Sequence, residues 1–197
     1  MNPLRPLGTL IDLLAQVRED LHAHEGDWAR PGFHTLAVHR FGNWRMTIAS
    51  RTARAPFSLT YRAMERFCRT AYGIELPYSA SVGRRVVIEH QGTIVVHGNA
   101  VIGDECILRH GVTIGARDLA TRHQAPVLER GVDVGAGAKI LGNITVGERA
   151  HVGANAVVLK DVPAGALAVG IPARIIVKEE REQGHRRRNV KAVPSSA

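Results

Sequence analysis

The stretch VGAGAKILGNITVGERAHVGANAVVLKDVPAGALAVGIPARII, residues 134–176, places a small or aliphatic residue at every sixth position. The same spacing runs from Leu76 to Val112 and resumes at Leu128, giving fourteen hexads, eleven of which begin with Leu, Ile or Val. A helix has a period of 3.6 residues and a strand a period of 2, so neither explains a sustained period of six. Three hexads that close one triangular coil do explain it. The spacing therefore predicts a mainly β solenoid of four to five coils.

One segment interrupts this spacing. Residues 115–127, GARDLATRHQAPV, cannot be placed in the six-residue register. They are predicted to leave the solenoid as an excursion loop. A long polar loop on a regular scaffold is a common place for binding residues.

The rest of the chain differs in pattern. Within residues 1–73, apolar residues at helical spacing form three stripes, and Pro31 and Pro56 are predicted to separate the helices. We expect a small α-helical N-terminal segment over residues 1–73 and the solenoid domain over residues 74–177. Residues 178–197 are predicted to form a basic, disordered tail.

The composition excludes several classes of protein. Two cysteines in 197 residues exclude a disulfide-stapled scaffold and a Cys-rich zinc module. No apolar run approaches the roughly 18 residues that span a bilayer, so we expect a cytoplasmic protein. The net charge is +8, and residues 40–70 hold seven arginines against Glu65 alone. No known nucleic-acid-binding motif accompanies this charge, so we expect no nucleic-acid partner.

Histidine is the natural general base near neutral pH. Of the ten histidines, His90 and His123 stand out. His90 lies two residues after the hexad position Ile88, where the chain turns outward, and His123 lies in the excursion loop. The sequence contains no serine elbow, P-loop or paired metal-ligand spacing, and we expect no metal. Cys106 occupies a core position and is expected to be inert.

Three stretches carry a resemblance to the serine O-acetyltransferases, a family of hexapeptide-repeat acyltransferases. They are PGFHTLAVHRFGNW (31–44), GIELPYSASVGRRVVIEHQGTIVV (73–96), and VTIG (112–115) followed by a loop that contains Arg122 and His123. Together with the C-terminal coils, the resemblance covers residues 31–176. It implies a left-handed parallel β-helix that forms a homotrimer and binds acetyl-CoA between neighbouring subunits.

The resemblance also implies roles for individual residues. His90 matches the histidine that deprotonates the serine hydroxyl for direct transfer from acetyl-CoA. Glu75 stands where an aspartate orients that histidine. Glu89 matches an acidic residue that helps hold the substrate amine. Arg122 matches a residue that reads the serine carboxylate, and His123 matches a further residue of the catalytic site.

On the acetyl-CoA side, the backbone at Ala136 and Ala154 matches positions that line the pantetheine groove. Lys139, Lys160 and Arg174 are expected to meet the phosphates of CoA. The implied pathway is cysteine biosynthesis. Members of the family insert a C-terminal isoleucine into cysteine synthase. The C-terminal Ser-Ser-Ala lacks this isoleucine, so a complex with cysteine synthase is not supported.

Three functional hypotheses remain open from the sequence. The first is a serine O-acetyltransferase that makes O-acetyl-L-serine and CoA. The second is an enzyme of the same fold that acetylates a sugar or polysaccharide hydroxyl, because the loop and the N-terminal segment depart from the family pattern. The third is a non-enzymatic solenoid whose Arg-rich segment, residues 40–70, docks on a membrane or a partner.

Overall fold

The computed structural model describes residues 9–177, which form three helices followed by a solenoid of about five coils. The helices are α1 (Leu10–Ala23), α2 (Pro31–Arg45) and α3 (Arg51–Phe67), and a π-helical turn (Cys68–Tyr72) leads into the solenoid. The predicted disordered tail, residues 178–197, lies outside the described residues.

The solenoid consists of short strands. They are β1 Ile74–Glu75, β2 Ser81–Val82, β3 Val87–Glu89, β4 Ile94–Val96, β5 Val101–Ile102, β6 Ile107–Arg109, β7 Thr113–Gly115, β8 Val127–Leu128, β9 Asp133–Val134, β10 Lys139–Leu141, β11 Thr145–Val146, β12 His151–Val152, β13 Val157–Val158, β14 Leu167–Val169 and β15 Arg174–Ile176. Every pairing between them is parallel except that of β14 with β15, which is antiparallel. The predicted left-handed parallel β-helix is confirmed.

The strands form the three faces of a triangular prism. Face 1 contains β1, β4, β7, β10 and β13, face 2 contains β2, β5, β8 and β11, and face 3 contains β3, β6, β9, β12, β14 and β15. We call the corner between faces 3 and 1 the histidine corner; it comprises residues 90–93, 110–112, 135–138 and 153–156. We call the corner between faces 1 and 2 the loop corner; it comprises residues 97–100, 116–126, 142–144 and 159–161.

In each coil, every face contributes two residues to the buried core. Each face buries one aliphatic residue on the strand and a second, usually smaller, residue two positions earlier, as Ile102 and Ala100 illustrate. Since both positions repeat every six residues, the sequence pattern alone does not tell them apart. The last predicted hexad position, Ala164, is exposed, because the chain shortens there and Val162 takes the buried position.

The coils do not all have the same length. Strands β4 and β7 pair at an offset of 18 residues, with Val96 beside Ile114, but β3 and β6 pair at an offset of 20, with Ile88 beside Leu108. The two extra residues lie in the histidine corner, directly after Glu89. A constant period of 18 would have placed Cys106 beside Ile88.

The helical segment differs from the predicted stripes in two respects. Thr9 caps α1 through a capping box with Asp12, but Leu10, Ile11 and Leu14 of the first stripe are exposed. Pro56, which was expected to separate two helices, lies inside α3. That helix begins earlier because the Ser50 hydroxyl accepts a hydrogen bond from the Ala53 amide.

Buried polar contacts join the helices to the first coil. The Arg40 guanidinium forms a two-point ion pair with Asp20, at 2.9 and 3.3 Å, and also donates to the carbonyls of Val82 and Gly83. The Ile88 amide donates to Nε2 of His24, whose Nδ1 donates to the Asp20 carbonyl. These bonds fix α1 and α2 against the coil that carries His90.

Gly32 lets α2 approach this coil closely. A Cβ atom at this position would lie 2.1 Å from the carbonyl oxygen of Ile88, a backbone atom that cannot move aside. The N-terminus of α2 therefore rests directly on the strand that ends at Glu89. The helical segment thereby forms one wall of the region around His90.

Residues 40–70 are rich in arginine, but not all of these arginines are on the surface. Arg40 is buried on Asp20, and Arg45 is buried with its guanidinium 4.4 Å from the rings of both Tyr61 and Tyr78. Two of the seven arginines therefore serve the helical packing. Among residues 9–177, no helix has the length and apolarity that crossing a membrane requires.

Buried His39 predicts a pH-dependent stability. Burial, reinforced by the charge of Arg40, lowers the pKa of His39 from 6.5 to about 3. Between these pH values His39 binds a proton in the unfolded chain but not in the folded chain, so the free energy of unfolding falls as the pH falls. From about pH 7.5 to about pH 5, this group should cost about 2 kcal/mol of unfolding free energy.

Urea unfolding at the two pH values checks this expectation. His39→Gln cannot titrate but keeps an amide that can donate to the Ala80 carbonyl, as Nε2 of His39 does at 3.0 Å. The variant should show a shallower loss of stability towards acid pH than the wild type. An equally steep loss in both proteins would contradict the assignment of this titration to His39.

Candidate functional site

His90 lies on the histidine corner immediately after β3. Its side chain is exposed and its backbone has a φ of 63°, in the left-handed region that non-glycine residues rarely occupy. Such conformations cluster at functional sites because the surrounding structure must maintain them. Here the two extra residues of the first coil lengthen the turn that begins at His90.

Glu89, the predicted amine-binding residue, is held by the coil below. Its carboxylate lies 2.9 Å from Nε of Arg109, which the β3–β6 register places directly beside it. Arg109 also pairs with Asp133 of the third coil. The carboxylate of Glu89 is therefore fixed beside His90 and remains partly accessible.

A second histidine accompanies the first. His110 follows Arg109 as His90 follows Glu89, and the two imidazole rings lie 5.8 Å apart in an edge-to-face arrangement of 68°. The second coil thus places an Arg–His pair directly beneath the Glu–His pair of the first coil. The sequence analysis did not single out Arg109 or His110 as site residues. The 20-residue pairing offset identifies them, and the hydrophobic pattern of the sequence does not reveal that offset.

A cleft of about 590 Å³ opens beside His90. Its wall is formed by the N-terminal end of α2 and the histidine corner. The residues that line it are Glu25, Arg30, Pro31, Gly32, Ile88, Glu89, His90 and Gln91. Its size is that of a small-molecule site, and it presents carboxylates and a guanidinium together. This combination suits a small ligand that carries both charges.

The predicted pantetheine positions lie on the same corner as His90. The Gly137 amide donates to the His110 carbonyl and the Asn155 amide donates to the Ala136 carbonyl, which places Ala136 and Ala154 on successive coils below His110. Three coil steps of about 4.8 Å separate the levels of His90 and Ala154, or about 14 Å. His90, His110, Ala136 and Ala154 are therefore aligned on successive coils along this corner.

Two of the three predicted phosphate-binding residues lie near this corner. The ammonium of Lys139 donates to the carbonyl of Gly111, in the histidine corner. Arg174 begins β15, which pairs with β14 at the far end of face 3, and its side chain is exposed. Lys160 is exposed but lies on the loop corner.

The excursion residues lie on that other corner. Arg122 and His123 are exposed and in mutual contact, with Nε of Arg122 3.3 Å from Nε2 of His123. The His123 carbonyl accepts a hydrogen bond of 2.9 Å from Asn99, which holds the loop to the loop corner. The width of face 1 separates both residues from His90 within one chain, so the structure does not bring them together.

Glu75 is the remaining predicted catalytic residue. It lies half-buried on β1, paired in register with Val95 of β4. Among residues 9–177, no hydrogen bond or ion pair joins its carboxylate to His90. The structure thus places Glu75 on face 1, next to the histidine corner, without the predicted contact.

The cysteines and possible metal ligands offer no competing chemistry within the described part of the chain. Burial raises the pKa of the Cys106 thiol to about 11, and Cys68 is also buried with a raised pKa. A thiolate nucleophile is therefore disfavoured at either position. Residues 9–177 contain no cluster of three or more His, Cys, Asp or Glu side chains arranged to hold a metal ion.

Comparison with known proteins identifies close relatives. The chain is 38% identical over 149 residues to a serine acetyltransferase of Helicobacter pylori, covering 76% of this chain and 83% of that protein. It is 37% identical over 148 residues to a serine acetyltransferase of Synechococcus elongatus, covering 75% of this chain. The chain spans only 58% of the length of that second relative. No family model matches the chain.

Solved structures give the same result. A serine acetyltransferase of Brucella abortus in complex with coenzyme A aligns with a TM-score of 0.71 and 30% identity, covering 85% of this chain and 68% of that one. A serine acetyltransferase of Neisseria gonorrhoeae in complex with serine aligns with a TM-score of 0.68 and 29% identity, covering 86% and 71%. The resemblance found in the sequence is confirmed, and the chain belongs to the serine acetyltransferase family.

Proposed function

We propose that this protein transfers the acetyl group of acetyl-CoA to the hydroxyl of L-serine, forming O-acetyl-L-serine and CoA. The observation that carries the proposal is the position of His90. This imidazole lines a charged cleft and lies on the same corner as both predicted pantetheine positions. An acceptor in the cleft and a thioester held along this corner would meet at His90.

In the proposed reaction, His90 acts as the general base. Its imidazole accepts the proton of the serine hydroxyl while the oxygen attacks the thioester carbonyl carbon. The tetrahedral intermediate then collapses, the carbon–sulfur bond breaks, and the thiolate of CoA takes the proton from the imidazolium. Transfer is direct, in a ternary complex, and no acyl-enzyme forms.

The charges around His90 support an amino-acid acceptor. Serine carries an ammonium and a carboxylate, and the cleft is lined by the carboxylate of Glu89 and by an ion pair between Arg30 and Glu25. In the proposed complex Glu89 binds the ammonium, and Arg122 binds the carboxylate in the two-point geometry that guanidinium groups favour. The solved relative with bound serine agrees with this acceptor.

On the donor side, we propose that the pantetheine arm lies along the histidine corner past Ala136 and Ala154. Lys139 and Arg174 supply positive charge near that corner, and Lys160 does so on the loop corner, for the phosphates of CoA. The relative solved with coenzyme A supports this donor.

We further propose a homotrimer. His90 and Arg122 lie on different corners of one chain, so a site that contains both requires the histidine corner of one subunit and the loop corner of its neighbour. A cyclic trimer provides three such head-to-tail interfaces. Its mass in solution should be three times the 21.4 kDa of one chain.

The proposed cellular role is cysteine biosynthesis in the cytoplasm. Acetylation converts the serine hydroxyl into a good leaving group, which a sulfur nucleophile can displace. This role depends on the acceptor being serine, and the following variants test that point.

Arg122→Ala should raise the KM for serine by about tenfold to a hundredfold, the usual effect of removing a charge-assisted hydrogen bond. The KM for acetyl-CoA should stay within about twofold. Arg117→Ala removes an exposed arginine from the same loop and serves as the matched control. Thiol release from acetyl-CoA measures both. Equal KM values for serine in the two variants would contradict the role of Arg122, and release with sugars alone would overturn the serine acceptor.

Mixed trimers test the shared site. His90→Ala and Arg122→Ala subunits are each defective, but an interface that takes His90 from one and Arg122 from the other is intact. Random mixing of equal amounts should restore about a quarter of the wild-type sites. Refolding the two variants together, and separately as the control, checks this. Mixed protein no more active than the separate variants would contradict a site built between subunits.

A further inference from the structure

The orientation of a general base must be fixed, and the orientation of His90 is not fixed by hydrogen bonding. No hydrogen bond or ion pair reaches the His90 ring from any residue between 9 and 177. Glu75, the carboxylate expected to orient the ring, makes no such contact. The side chain is exposed, so packing within the core does not hold it either.

The aromatic contact recorded for the His90 ring comes from the coil below. The ring of His110 packs edge-to-face against it at a centroid distance of 5.8 Å. The 20-residue offset between β3 and β6 creates this contact, because it places Arg109 and His110 beside Glu89 and His90. An 18-residue coil would have placed the aliphatic residue Leu108 there instead.

The side chain of His110 is exposed, but its backbone is fixed. The carbonyl accepts a hydrogen bond of 2.8 Å from the Gly137 amide on the next coil. The preceding residue, Arg109, is paired with carboxylates of the coils above and below, at Glu89 and Asp133. The backbone that carries His110 is therefore tied to both neighbouring coils beneath the ring of His90.

We propose that His110 is a positioning residue whose ring, by edge-to-face packing, sets the orientation of the general base His90. This inference rests on the proposed acetyl transfer. His110 also lies on the coil between His90 and the pantetheine position Ala136. It does not take the serine proton, and either substrate binds without it.

Kinetics of three variants test the proposal. His110→Ala removes the ring and should lower kcat by about threefold to tenfold, which is the value of an aromatic pair. The KM values for serine and acetyl-CoA should stay within about twofold. His110→Phe keeps a ring and should retain at least about half of the wild-type kcat. His110→Asn keeps a hydrogen-bond donor but no aromatic ring, and should be as impaired as the alanine variant.

His22→Ala provides the control, because it removes an exposed histidine from α1 and should leave kcat unchanged. Three results would overturn the proposal. They are wild-type kcat in His110→Ala, a phenylalanine variant as impaired as the alanine variant, and rescue by asparagine. A loss above a hundredfold in His110→Ala would also overturn it, since that size indicates direct proton transfer.

Nuclear magnetic resonance of histidine-labelled protein separates this proposal from the proposed function. The ring protons of His90 should carry a ring-current shift that His110→Ala abolishes and His110→Phe preserves. An unchanged His90 spectrum in His110→Ala would overturn the contact. Absence of serine-dependent turnover in the wild type would instead overturn the proposed function, whatever the spectrum shows.

Discussion

Replacing His90 with alanine is expected to lower kcat by about two to four orders of magnitude, the usual contribution of a general base. The imidazole is exposed and makes no hydrogen bond within residues 9–177, so its removal should not destabilise the fold. Acetyl-CoA binding should persist, because the proposed pantetheine positions lie on later coils. Steady-state thiol release and equilibrium binding of acetyl-CoA measure the two quantities separately.

The backbone at this position calls for a second variant. His90 has a φ of 63°, where asparagine is tolerated better than alanine. His90→Asn keeps the turn and lacks a base, so it should be as inactive as His90→Ala and at least as stable. Activity within about tenfold of the wild type in the asparagine variant would contradict the role of His90.

The largest expected effect on stability comes from Asp20→Ala. Arg40 and Asp20 have side chains only 4% and 1% exposed, and the change leaves the guanidinium buried without its carboxylate. Breaking a buried ion pair from one side costs about 3 to 5 kcal/mol of unfolding free energy. Urea unfolding at neutral pH measures the loss.

Glu19→Ala is the matched control, because Glu19 neighbours Asp20 on α1 and also pairs with an arginine of the first coil, Arg84. That pair is partly exposed, so its loss should cost less than about 1 kcal/mol. Combining Asp20→Leu with Arg40→Met removes both charges but also the donors to the Val82 and Gly83 carbonyls, so it should recover only part of the stability lost in Asp20→Ala. Equal costs for Asp20→Ala and Glu19→Ala would contradict this account of the junction.

The period of six predicted the solenoid because it has a single structural explanation. The aliphatic positions from Leu128 to Val158 are buried as expected. The position of His90 on an outward turn also followed from its distance to Ile88. These features depend on residues close in sequence, where the repeat determines which side of the strand faces inward.

The residues beneath His90 could not be predicted in the same way. Each face buries positions two residues apart, such as Cys106 and Leu108, so a slip of two residues leaves the hydrophobic pattern intact. The two extra residues after Glu89 therefore could not be detected from the hydrophobic pattern. They determine that Arg109 and His110 lie beneath Glu89 and His90. Pairing between coils, rather than periodicity, determines this part of the site.

The helical segment illustrates a different limit. Apolar spacing predicted which residues of α1 would pack inward, yet Leu10 and Ile11 are exposed. The contact with the solenoid uses Asp20 and His24 instead, through an ion pair and a hydrogen bond to the Ile88 amide. Polar side chains become buried when the partner is exposed backbone at the end of a solenoid, and hydrophobicity does not reveal that partner.

Identification of the reaction product tests the central claim most directly. The full chain is incubated with acetyl-CoA and L-serine, and the products are resolved by mass spectrometry, with D-serine and a panel of sugars as alternative acceptors. We expect O-acetyl-L-serine to form in equal amount to the CoA released, and only when both L-serine and His90 are present. CoA release without O-acetyl-L-serine, or none from a folded trimer with L-serine, would contradict the proposed function.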